Sequence, residues 1–516
     1  MPTEFPHPAA WRVAPPHPQG LPRYDGEAPT PVLDLLDAAA GAHGNRDAFI
    51  DLQQQLSFAD LAAHARAVAH RIASTVPQGG AVAAVLPYSP LGVATAFGCL
   101  ASGRITLALN AHDPAERLAQ ALAGAALVLQ AEPGPECLTF AEAGATPAPQ
   151  GWQPTPPGAD DPAMVHFTSG SSGLPKGIVL SHHAVATRAR ATMASIRYAP
   201  GDRVMATSGP HVASGFSFLL AAVMAGGTHL CASLSAQGAG GILRLMQAHP
   251  PDVTITNAAL SRMLLGLPGG TAAFARVRLH RMGAMGLARD DWQAVAAALP
   301  RGCAISHTYA STEAQVVAEW QVPATPPPGP SLPAGWLTEG WRHALVDPDG
   351  TPVPDGMPGE LVLSHRRIAL GEWQASAVVP GRMRPDPQDP SRRIFRTGDV
   401  MRLGPDGLLS FVGRADRQIN INGVRIEPGE IEAVLREHPG VLEAAVVADA
   451  AGRPAAFVAM PGTADEPALR AALADRARAA LPASMRPATI TVLPALPMMA
   501  SGKIDLVALR RQASEG

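Results

Sequence analysis

The stretch Phe167-Thr168-Ser169-Gly170-Ser171-Ser172-Gly173-Leu174-Pro175-Lys176-Gly177 decides how the rest of the chain is interpreted. It follows a short apolar run, residues 163–167, that is typical of a strand. Glycines let the backbone approach an anion and point N–H groups at it, hydroxyls add donors, and lysine adds charge. The stretch therefore predicts a loop that binds a polyphosphate, although its spacing differs from that of the GxxxxGK[ST] loop.

Lysine is almost absent from the rest of the sequence. The 516 residues include 40 Lys+Arg, and Lys176 and Lys503 are the only lysines among them. Because arginine serves wherever charge alone suffices, each lysine indicates a need for a compact ammonium on a flexible stem. Both lysines lie beside glycine in loops that are rich in serine and glycine.

Residues 168–177 resemble the phosphate loop of the adenylate-forming superfamily, which contains acyl-CoA and aryl-CoA ligases, peptide-synthetase adenylation domains and firefly-type luciferases. Four further stretches match the family in its order, and the resemblance spans roughly residues 30 to 510. Those stretches are residues 281–287, 307–313, 396–416 and 500–505. The resemblance implies ATP-dependent activation of a carboxylic acid.

Composition excludes several other classes of protein. A net charge of -3 and a pI near 6.6 give no electrostatic case for nucleic acid or an anionic membrane as partner. The four cysteines show no metal-ligand spacing and no disulfide framework, which fits a reduced cytoplasm. The first residues lack a basic region followed by an apolar core, and no long apolar run occurs. We therefore expect a soluble, cytoplasmic protein.

Strand-like and helix-like patterns alternate along most of the chain, which predicts an α/β fold with largely parallel sheets. We expect an N-terminal arm (residues 1–29), a large domain of layered αβ sheets with a β-rich subdomain (30–413), a hinge (414–418) and a small mobile α+β domain (419–516). Ser57 and Asp60 form a capping box that opens a helix. The proline-rich segments 322–358 and 380–391 are predicted to be surface loops of the β-rich subdomain.

The resemblance implies specific roles for residues of the nucleotide site. Tyr309 packs on the adenine, Thr312 bonds the α-phosphate, Glu313 holds Mg²⁺ and Asp399 accepts both ribose hydroxyls. A single carboxylate suits Mg²⁺, which usually takes one or two carboxylates together with phosphate oxygens. The full ATP-binding set is Thr168, Ser169, Gly170, Ser171, Ser172, Gly173, Lys176, Tyr309, Thr312, Asp399, Arg414 and Lys503. The implied catalytic residues are Lys503, His211, Thr312 and Glu313.

The resemblance also implies a second conformation for acyl transfer. Lys503 lies in the small domain, so adenylate formation requires that domain to close on the large one. A rotation at Asp416 then exchanges Lys503 for a face that contains Gly423 and Arg425, along which a pantetheine thiol passes. Three positions depart from the family pattern: Ala284 and Ala310 each replace a glycine, and Asn420 stands where relatives often have lysine.

The acid is predicted from the residues that match the acyl pocket. Residues 209–227 contain no Asp or Glu, and an ammonium buried without a counter-charge is costly, so an α-amino acid is excluded. The apolar and neutral lining suits an aryl, alicyclic or medium-chain acid. The pocket candidates are His211, Ser214, Gly215, Phe218, Gly283, Ala284, Met285, His307, Thr308 and Val316.

The acceptor of the acyl group stays open at this point. A match to CoA ligases around His211 and the missing ammonium partner favour CoA. Residues 425–432 and 502–505 are closer to peptide-synthetase domains, which favours a carrier-protein thiol, and direct capture by an amine is a third outcome. A non-catalytic nucleotide-binding module is the alternative from another class. The sequence leaves open the identity of the acid, the oligomeric state and the pathway.

Overall fold

The structure is a computed structural model that describes residues 6, 11–20, 30–113, 115–122, 124–134, 137–169, 175–283, 287–323, 325–327, 331–415, 419–421, 424–426, 428–462, 466–481, 485–498 and 504–515. None of the helices in these residues combines the length and the apolar character that crossing a bilayer requires.

The elements of the large part of the chain are, in order, β1 (Arg12–Val13), α1 (Val32–His43), β2 (Asp47–Ile50), β3 (Gln55–Ser57), α2 (Phe58–Thr75), β4 (Ala81–Leu86), α3 (Pro90–Ala101), β5 (Ile105–Asn110), α4 (Ala115–Leu122), β6 (Leu127–Gln130), β7 (Cys137–Thr139), α5 (Phe140–Gly144), β8 (Pro162–Ser169), β9 (Pro175–Ser181), α6 (His182–Ile196), β10 (Arg203–Ala206), α7 (Ala213–Ala225), β11 (Thr228–Cys231), α8 (Leu234–Ala248), β12 (Val253–Thr256), α9 (Ala258–Gly266), α10 (Gly270–Ala273), β13 (Leu279–Gly283), α11 (Arg289–Ala298), β14 (Ala304–Ser311), β15 (Gln315–Gln321), β16 (Gly335–Leu337), β17 (Arg342–Val346), β18 (Gly359–His365), β19 (Gly371–Gln374), β20 (Ala377–Val379), β21 (Met383–Asp386), β22 (Asp389–Leu403) and β23 (Leu408–Arg414). The C-terminal elements are β24 (Ile419–Ile421), β25 (Val424–Ile426), α12 (Pro428–Arg436), β26 (Glu443–Ala448), β27 (Pro454–Ala459), α13 (Glu466–Ala480), β28 (Thr489–Leu493) and α14 (Leu506–Glu515).

Two sheets frame the large domain in the described part of the chain. The first has 15 strands in the order β1-β17-β18-β22-β23-β16-β15-β14-β13-β12-β10-β11-β2-β3, with β21 beside β22. The second has eight strands in the order β20-β19-β9-β8-β5-β4-β6-β7. Pairing is parallel from β2 to β14 in the first sheet and from β7 to β8 in the second. The next pairs, β14–β15 and β8–β9, are antiparallel. The two motifs at residues 168–177 and 307–313 therefore lie where each sheet changes from parallel to antiparallel pairing.

The main hydrophobic core lies between the two sheets and is filled by helices. It includes Phe49 and Tyr309 from the first sheet and Met164 from the second. Helix α3 runs through this layer with every residue except Leu91 buried. A Cβ added to Gly98 of α3 would lie 2.6 Å from the Cβ of Val68 in α2, so this glycine permits the close crossing of the two helices.

Serine caps begin several of these helices. The Ser57 hydroxyl accepts a hydrogen bond from the Asp60 amide at 3.1 Å, which confirms the predicted start of α2. Ser89 and Ser181 cap α3 and α6 in the same way. Capping satisfies N–H groups that have no partner within a helix, so the short polar residue after each strand fixes where the next helix begins.

The proline-rich segments are more ordered than predicted. Segment 322–358 contains β16 and β17, and Trp341 between them is fully buried. Segment 380–391 contains β21, which pairs with β22 alone and includes Pro385. Proline is tolerated on an edge strand because one side of such a strand needs no donor. The interpretation of both segments as surface loops is therefore wrong for these strands.

The C-terminal residues form hydrophobic cores of their own. Ile431 and Leu435 of α12 pack with Val446 and Val458 on one face of the β26-β27-β28 sheet. On the other face Leu509 of α14 packs with residues of the same strands. Among the described residues, neither cluster includes a residue before 431. The predicted fold class, a large layered α/β domain followed by a small α+β domain, is confirmed.

Candidate active site

Three residues that are distant in sequence converge at the end of β14. The Tyr309 hydroxyl donates a hydrogen bond to the Asp399 carboxylate, and Arg414 Nη1 donates to Asp399 Oδ1 at 2.8 Å. Asp399 and Arg414 face each other across the β22–β23 pair. Burial raises the pKa of the Asp399 carboxyl, and Arg414 opposes that rise. Burial and the Asp399 charge also raise the pKa of Tyr309, so its hydroxyl stays a donor.

Gly398 of the Thr-Gly-Asp stretch makes room for this cluster. Its φ is +73°, in the left-handed region that favours glycine, and an added Cβ would lie 2.9 Å from Arg414 Nη2. Thr397 supports the turn because its hydroxyl donates to the Leu361 carbonyl at 2.8 Å and accepts from the Asp399 amide at 3.0 Å. The stretch thus fixes the Asp399 carboxylate by backbone geometry.

The Thr312–Glu313 turn joins β14 to β15, and a buried arginine donates hydrogen bonds to its backbone. Arg188 of α6 donates from Nη1 to the Thr312 carbonyl and from Nη2 to the Glu313 carbonyl, each at 2.8 Å. Burial and the Arg367 charge lower the pKa of Arg188 to about 9, which leaves it protonated at neutral pH. Gln315, at a φ of +67°, donates to the Arg188 carbonyl at 2.7 Å. Sequence reasoning missed Arg188, since an arginine within a helix carries no signal of burial.

The Glu313 carboxylate is turned toward another residue that the sequence did not single out. Its Oε1 accepts a hydrogen bond from Arg382 Nη2 at 2.9 Å, and 13% of the Glu313 side chain is exposed. The described residues contain no group of three or more His, Cys, Asp or Glu that could hold a metal by itself. One carboxylate beside a phosphate loop fits a Mg²⁺ ion that arrives with the triphosphate, because Mg²⁺ keeps few protein ligands.

The predicted phosphate loop is the tip of the β8–β9 hairpin. Thr168 pairs with Lys176 across the hairpin, and the Thr168 hydroxyl donates to the Lys176 carbonyl at 3.4 Å. The Lys176 ammonium lies 3.9 Å from Glu372 Oε1 of β19. Gly170, Ser171, Ser172 and Gly173 lie outside the described residues, as does the Ser169 side chain.

His211 lies just before α7, beside a second buried histidine. The His166 ring shares a hydrogen bond with the His211 carbonyl through Nδ1 at 3.0 Å, and His211 Nδ1 is buried with no partner in the described part of the structure. Burial lowers the pKa of each ring to about 4. Both imidazoles are therefore neutral near pH 7, and His211 offers a polar nitrogen rather than a charge.

The structure brings part of the predicted acyl pocket together. Gly283 and Thr308 are neighbours in the parallel β13–β14 pair, and His307 pairs with the residue before Gly283. The backbone of Gly283 is exposed, and among the described residues a Cβ there would meet Thr308 Oγ1 alone, at 3.7 Å. Burial lowers the pKa of His307 to about 4, and its Nδ1 lies 3.2 Å from the Met282 carbonyl.

The other pocket candidates differ in their surroundings. Phe218 is 9% exposed and packs in an apolar cluster with Ile255 and Leu279. A Cβ at Gly215 would lie 2.1 Å from the Gly209 carbonyl oxygen, so α7 can begin this close to the preceding loop only with glycine there. The remaining candidates in described segments, Ser214 and Val316, are half-buried. Ala284 and Met285 lie outside the described residues.

The predictions for the small domain fall largely outside the described residues. Asp416, Gly423 and Lys503 all do so. Arg425 lies in β25, where it pairs with Asn420 of β24, but its side chain is not described. The hinge, the thiol tunnel and the lysine therefore stay predictions.

Comparison with protein families identifies the class. Residues 36–373 match the AMP-binding enzyme family, and residues 430–503 match the AMP-binding enzyme C-terminal domain. The first match covers more than half of the chain, so the protein belongs to the AMP-binding enzymes, the adenylate-forming superfamily, and has the fold of an AMP-forming ligase.

The proteins that this chain resembles include peptide synthetases, by sequence, and CoA ligases, by structure. Phosphinothricin tripeptide synthetase PhsC of Streptomyces viridochromogenes is 31% identical over 505 residues, which are 92% of this chain and 44% of the synthetase. The chain thus spans less than half the length of that relative. The solved anthranilate CoA ligase AuaEII, bound to anthranoyl-AMP, has a TM-score of 0.80 at 22% identity and covers 95% of this chain and 98% of its own. A benzoate CoA ligase from Burkholderia xenovorans has a TM-score of 0.77 at 23% identity, covering 93% and 100%. At these identities the two structures show the shared fold.

Proposed function

We propose that the protein uses ATP with Mg²⁺ to convert a carboxylic acid into an acyl-AMP and pyrophosphate, and then transfers the acyl group to a thiol, with CoA as the favoured acceptor. The observation that carries the proposal is the convergence of Tyr309, Asp399 and Arg414 beside the Thr312–Glu313 turn. The Glu313 charge is close enough to help raise the pKa of Asp399, so the nucleoside end and the metal end of the site adjoin.

The first half-reaction needs no general base. A carboxylate oxygen attacks the α-phosphorus, the bond from that phosphorus to the β-phosphate oxygen breaks, and pyrophosphate leaves with the electron pair. The main obstacle is repulsion between the carboxylate and the triphosphate, so the protein must supply positive charge and in-line geometry. Lys176 and the loop amides would hold the β- and γ-phosphates, and Glu313 would hold Mg²⁺, which neutralises phosphate charge when it is bound.

Lys503 is proposed to join the acid carboxylate to the α-phosphate during this step. It belongs to the small domain, so closure of that domain would complete the site. Thr312 is proposed to bond the α-phosphate, and the neutral His211 imidazole to lie near the reacting carboxylate. The Arg188 contacts support the role of Thr312, because they fix the backbone of its turn.

An aryl acid is the favoured substrate class. Residues 209–227 offer no carboxylate to hold an ammonium, which argues against an α-amino acid. The neutral rings of His211 and His307 support an acid with few charges. The ligases of similar fold include enzymes named for anthranilate and for benzoate, which supports the same class.

A carrier-protein thiol is the second candidate acceptor. It is favoured by the sequence relatives, which include peptide synthetases such as PhsC. CoA is favoured by the fold neighbours, which include two CoA ligases that span nearly the whole chain. Both acceptors present the same phosphopantetheine thiol, so the first half-reaction is common to them.

Pyrophosphate release tests the proposal. We would supply ATP and Mg²⁺ with a panel of aryl, alicyclic, fatty and amino acids, each with CoA, with a simple amine, or with neither. We expect release that depends on an aryl acid, and turnover that depends on CoA. Pyrophosphate release with amino acids but with no other class of acid would overturn the proposed substrate class. Turnover restored by the amine but not by CoA would make the protein an amide synthetase, and no acid-dependent release would overturn the ligase proposal.

A further inference from the structure

One short part of the β-rich subdomain, residues 371–386, supplies counter-ions to both charged ends of the candidate phosphate site. Glu372 of β19 pairs with Ile178 of β9, two residues after Lys176, and its Oε1 lies 3.9 Å from Lys176 Nζ. Arg382, just before β21, donates from Nη2 to Glu313 Oε1 at 2.9 Å. Thus the predicted phosphate-binding lysine and the predicted metal-binding glutamate are each already paired.

The two counter-ions are themselves neighbours. Gly381 has a φ of +55°, and a Cβ added there would lie 2.5 Å from the Glu372 carboxyl carbon. The Glu372 carboxylate therefore lies against the residue that precedes Arg382. Charges alternate in sign along this row, which we call the charge row and which consists of Lys176, Glu372, Arg382 and Glu313.

The cations of the charge row are more exposed than its carboxylates. The Lys176 and Arg382 side chains are 46% and 44% exposed, whereas those of Glu372 and Glu313 are 9% and 13% exposed. An anion that approaches from solvent therefore meets two cations first. Arg382 also has its guanidinium carbon 5.3 Å from the centre of the Phe395 ring, a cation–π contact that can hold the side chain when Glu313 turns away.

We propose that Arg382 is a pyrophosphate-binding residue that leaves Glu313 for the β- and γ-phosphates when nucleotide binds, and that Glu372 competes with those phosphates for Lys176. The inference rests on the proposed adenylation, in which Glu313 is needed for Mg²⁺. Arginine suits this exchange because its planar fork forms paired hydrogen bonds with phosphate oxygens. Ion pairs between partly exposed side chains contribute little net stability, so both pairs can be exchanged.

The Glu372 part of the proposal predicts an effect of opposite sign. When Lys176 moves to a phosphate, the Glu372 carboxylate loses that cation and keeps the hydrogen bond from the Gln374 amide, which donates to Oε2 at 3.3 Å. That carboxylate also repels the incoming phosphates. Replacing this carboxylate with a neutral amide should therefore strengthen anion binding. If Glu372 merely positions Lys176, the same replacement should weaken anion binding instead.

The test is titration calorimetry of the full chain with inorganic pyrophosphate and, separately, with ATP, each with Mg²⁺. The variants are Arg382→Gln, Arg382→Lys and Glu372→Gln, and the matched control is Arg366→Gln. Arg366 is 39% exposed and paired with Asp160 at 3.0 Å, so it resembles Arg382 in exposure and pairing but not in position.

We expect Arg382→Gln to weaken pyrophosphate binding about tenfold, since a hydrogen bond to a charged group is lost. Arg382→Lys should recover part of this loss, Glu372→Gln should tighten binding a few-fold, and Arg366→Gln should match the wild type. Unchanged binding in Arg382→Gln would overturn the role of Arg382, and weaker binding in Glu372→Gln would overturn the competition. If the wild-type protein binds ATP but not pyrophosphate, the inference alone fails; if it binds neither, the proposed function fails as well.

Discussion

Asp399 accepts hydrogen bonds from the hydroxyl of Tyr309, which is 90 residues away in sequence, and from the guanidinium of Arg414 on the adjacent strand. A carboxylate has about four lone-pair directions, so these contacts leave room for further donors such as ribose hydroxyls. The two protein donors also fix the carboxylate in place before a ligand arrives. That arrangement is what a preorganised nucleoside site requires.

Asp399→Asn should weaken ATP binding with little change of shape. The asparagine side chain accepts hydrogen bonds at one atom instead of two, and it lacks the negative charge that pairs with Arg414. We expect the KM for ATP to rise about 10- to 100-fold, because a hydrogen bond to a charged group is worth roughly 1.5–3 kcal/mol. The rate of pyrophosphate release at varied ATP concentrations would give this KM.

Asp386→Asn is the control for this variant. Asp386 is also buried, at 1% exposed, and accepts from Arg342 Nη1 at 3.2 Å and from the Ser364 hydroxyl at 2.6 Å. The Asp386→Asn variant should lower stability to a similar degree and leave the KM for ATP unchanged. An equal rise of KM in both variants would mean that the Asp399 effect reflects general loosening of the sheet.

At the same scale, the sequence identified some site residues and missed others for a physical reason. Tyr309, Glu313 and Asp399 stand in short stretches whose spacing resembles the family pattern, which is why the sequence indicated them as candidate ligand contacts. Arg188 and Arg382 lie in no such stretch, and only the folded chain brings them to the Thr312–Glu313 turn. Arginine is common in this chain, so its presence alone gave no signal.

At the scale of elements, helix α6 connects the two halves of the phosphate site. It begins directly after β9, which carries Lys176, and its Arg188 holds the two carbonyls of the Thr312–Glu313 turn. The predicted role of this arginine is that of a positioning residue, since it contacts the backbone of the turn.

Arg188→Met should lower the rate of pyrophosphate release about 100-fold and weaken the binding of ATP with Mg²⁺, because two buried carbonyls lose their donors. Arg188→Lys should recover only part of the loss, since one ammonium cannot span both carbonyls as a guanidinium does. Kinetics and calorimetry with ATP and Mg²⁺ would measure the two effects.

Arg104 provides the matched control for Arg188. It is 9% exposed, and its guanidinium likewise donates to backbone carbonyls, those of Val76, Ser102 and Ala73. Arg104→Met should lower the melting temperature as Arg188→Met does, yet leave the affinity for ATP unchanged. If both variants lose ATP affinity equally, Arg188 has a structural role only.

The elements also show where sequence patterns were sufficient. An apolar run predicted β8 and a serine cap predicted the start of α2, because those signals act within a few residues. The strands β16, β17 and β21 were missed, because proline breaks the patterns of their segments. In addition, β16 pairs with β23, which lies about 70 residues further along the chain.

At the scale of the whole molecule, the small domain is predicted to serve the two half-reactions in turn. Lys503→Ala should abolish adenylate formation, because the donor that joins carboxylate and α-phosphate is lost, with a decrease of at least about 10²-fold. Acyl transfer from supplied acyl-AMP should be spared. Separate assays of pyrophosphate release and thioester formation would measure this, and equal loss in both would contradict domain alternation.

Neutral buried histidines make the stability of the molecule depend on pH. Burial lowers the pKa of several rings to about 4, compared with 6.5 in an unfolded chain. They are His166, His182, His211, His280, His307 and His343. Between these two values the unfolded chain binds more protons, so stability is complete above pH 6.5 and decreases as the pH falls toward 4.

Urea denaturation would measure this loss. We expect the free energy of unfolding to fall between about pH 7 and pH 5.5, by up to about 1.4 kcal/mol per pH unit for each proton taken up. His280→Gln should make the slope shallower by removing one of these rings. A free energy of unfolding that does not change over this range would contradict the prediction.

The scarcity of lysine in this chain has a further consequence, which concerns self-damage. An acyl-AMP acylates free amines, and a diffusing molecule of such a product would attack lysine side chains of its own enzyme. This chain has only two lysines, so it offers few side-chain amines for such an attack. Arginine guanidinium groups, which carry nearly all the other positive charge, stay protonated and unreactive. The protein is therefore built to tolerate the reactive intermediate that it is proposed to make.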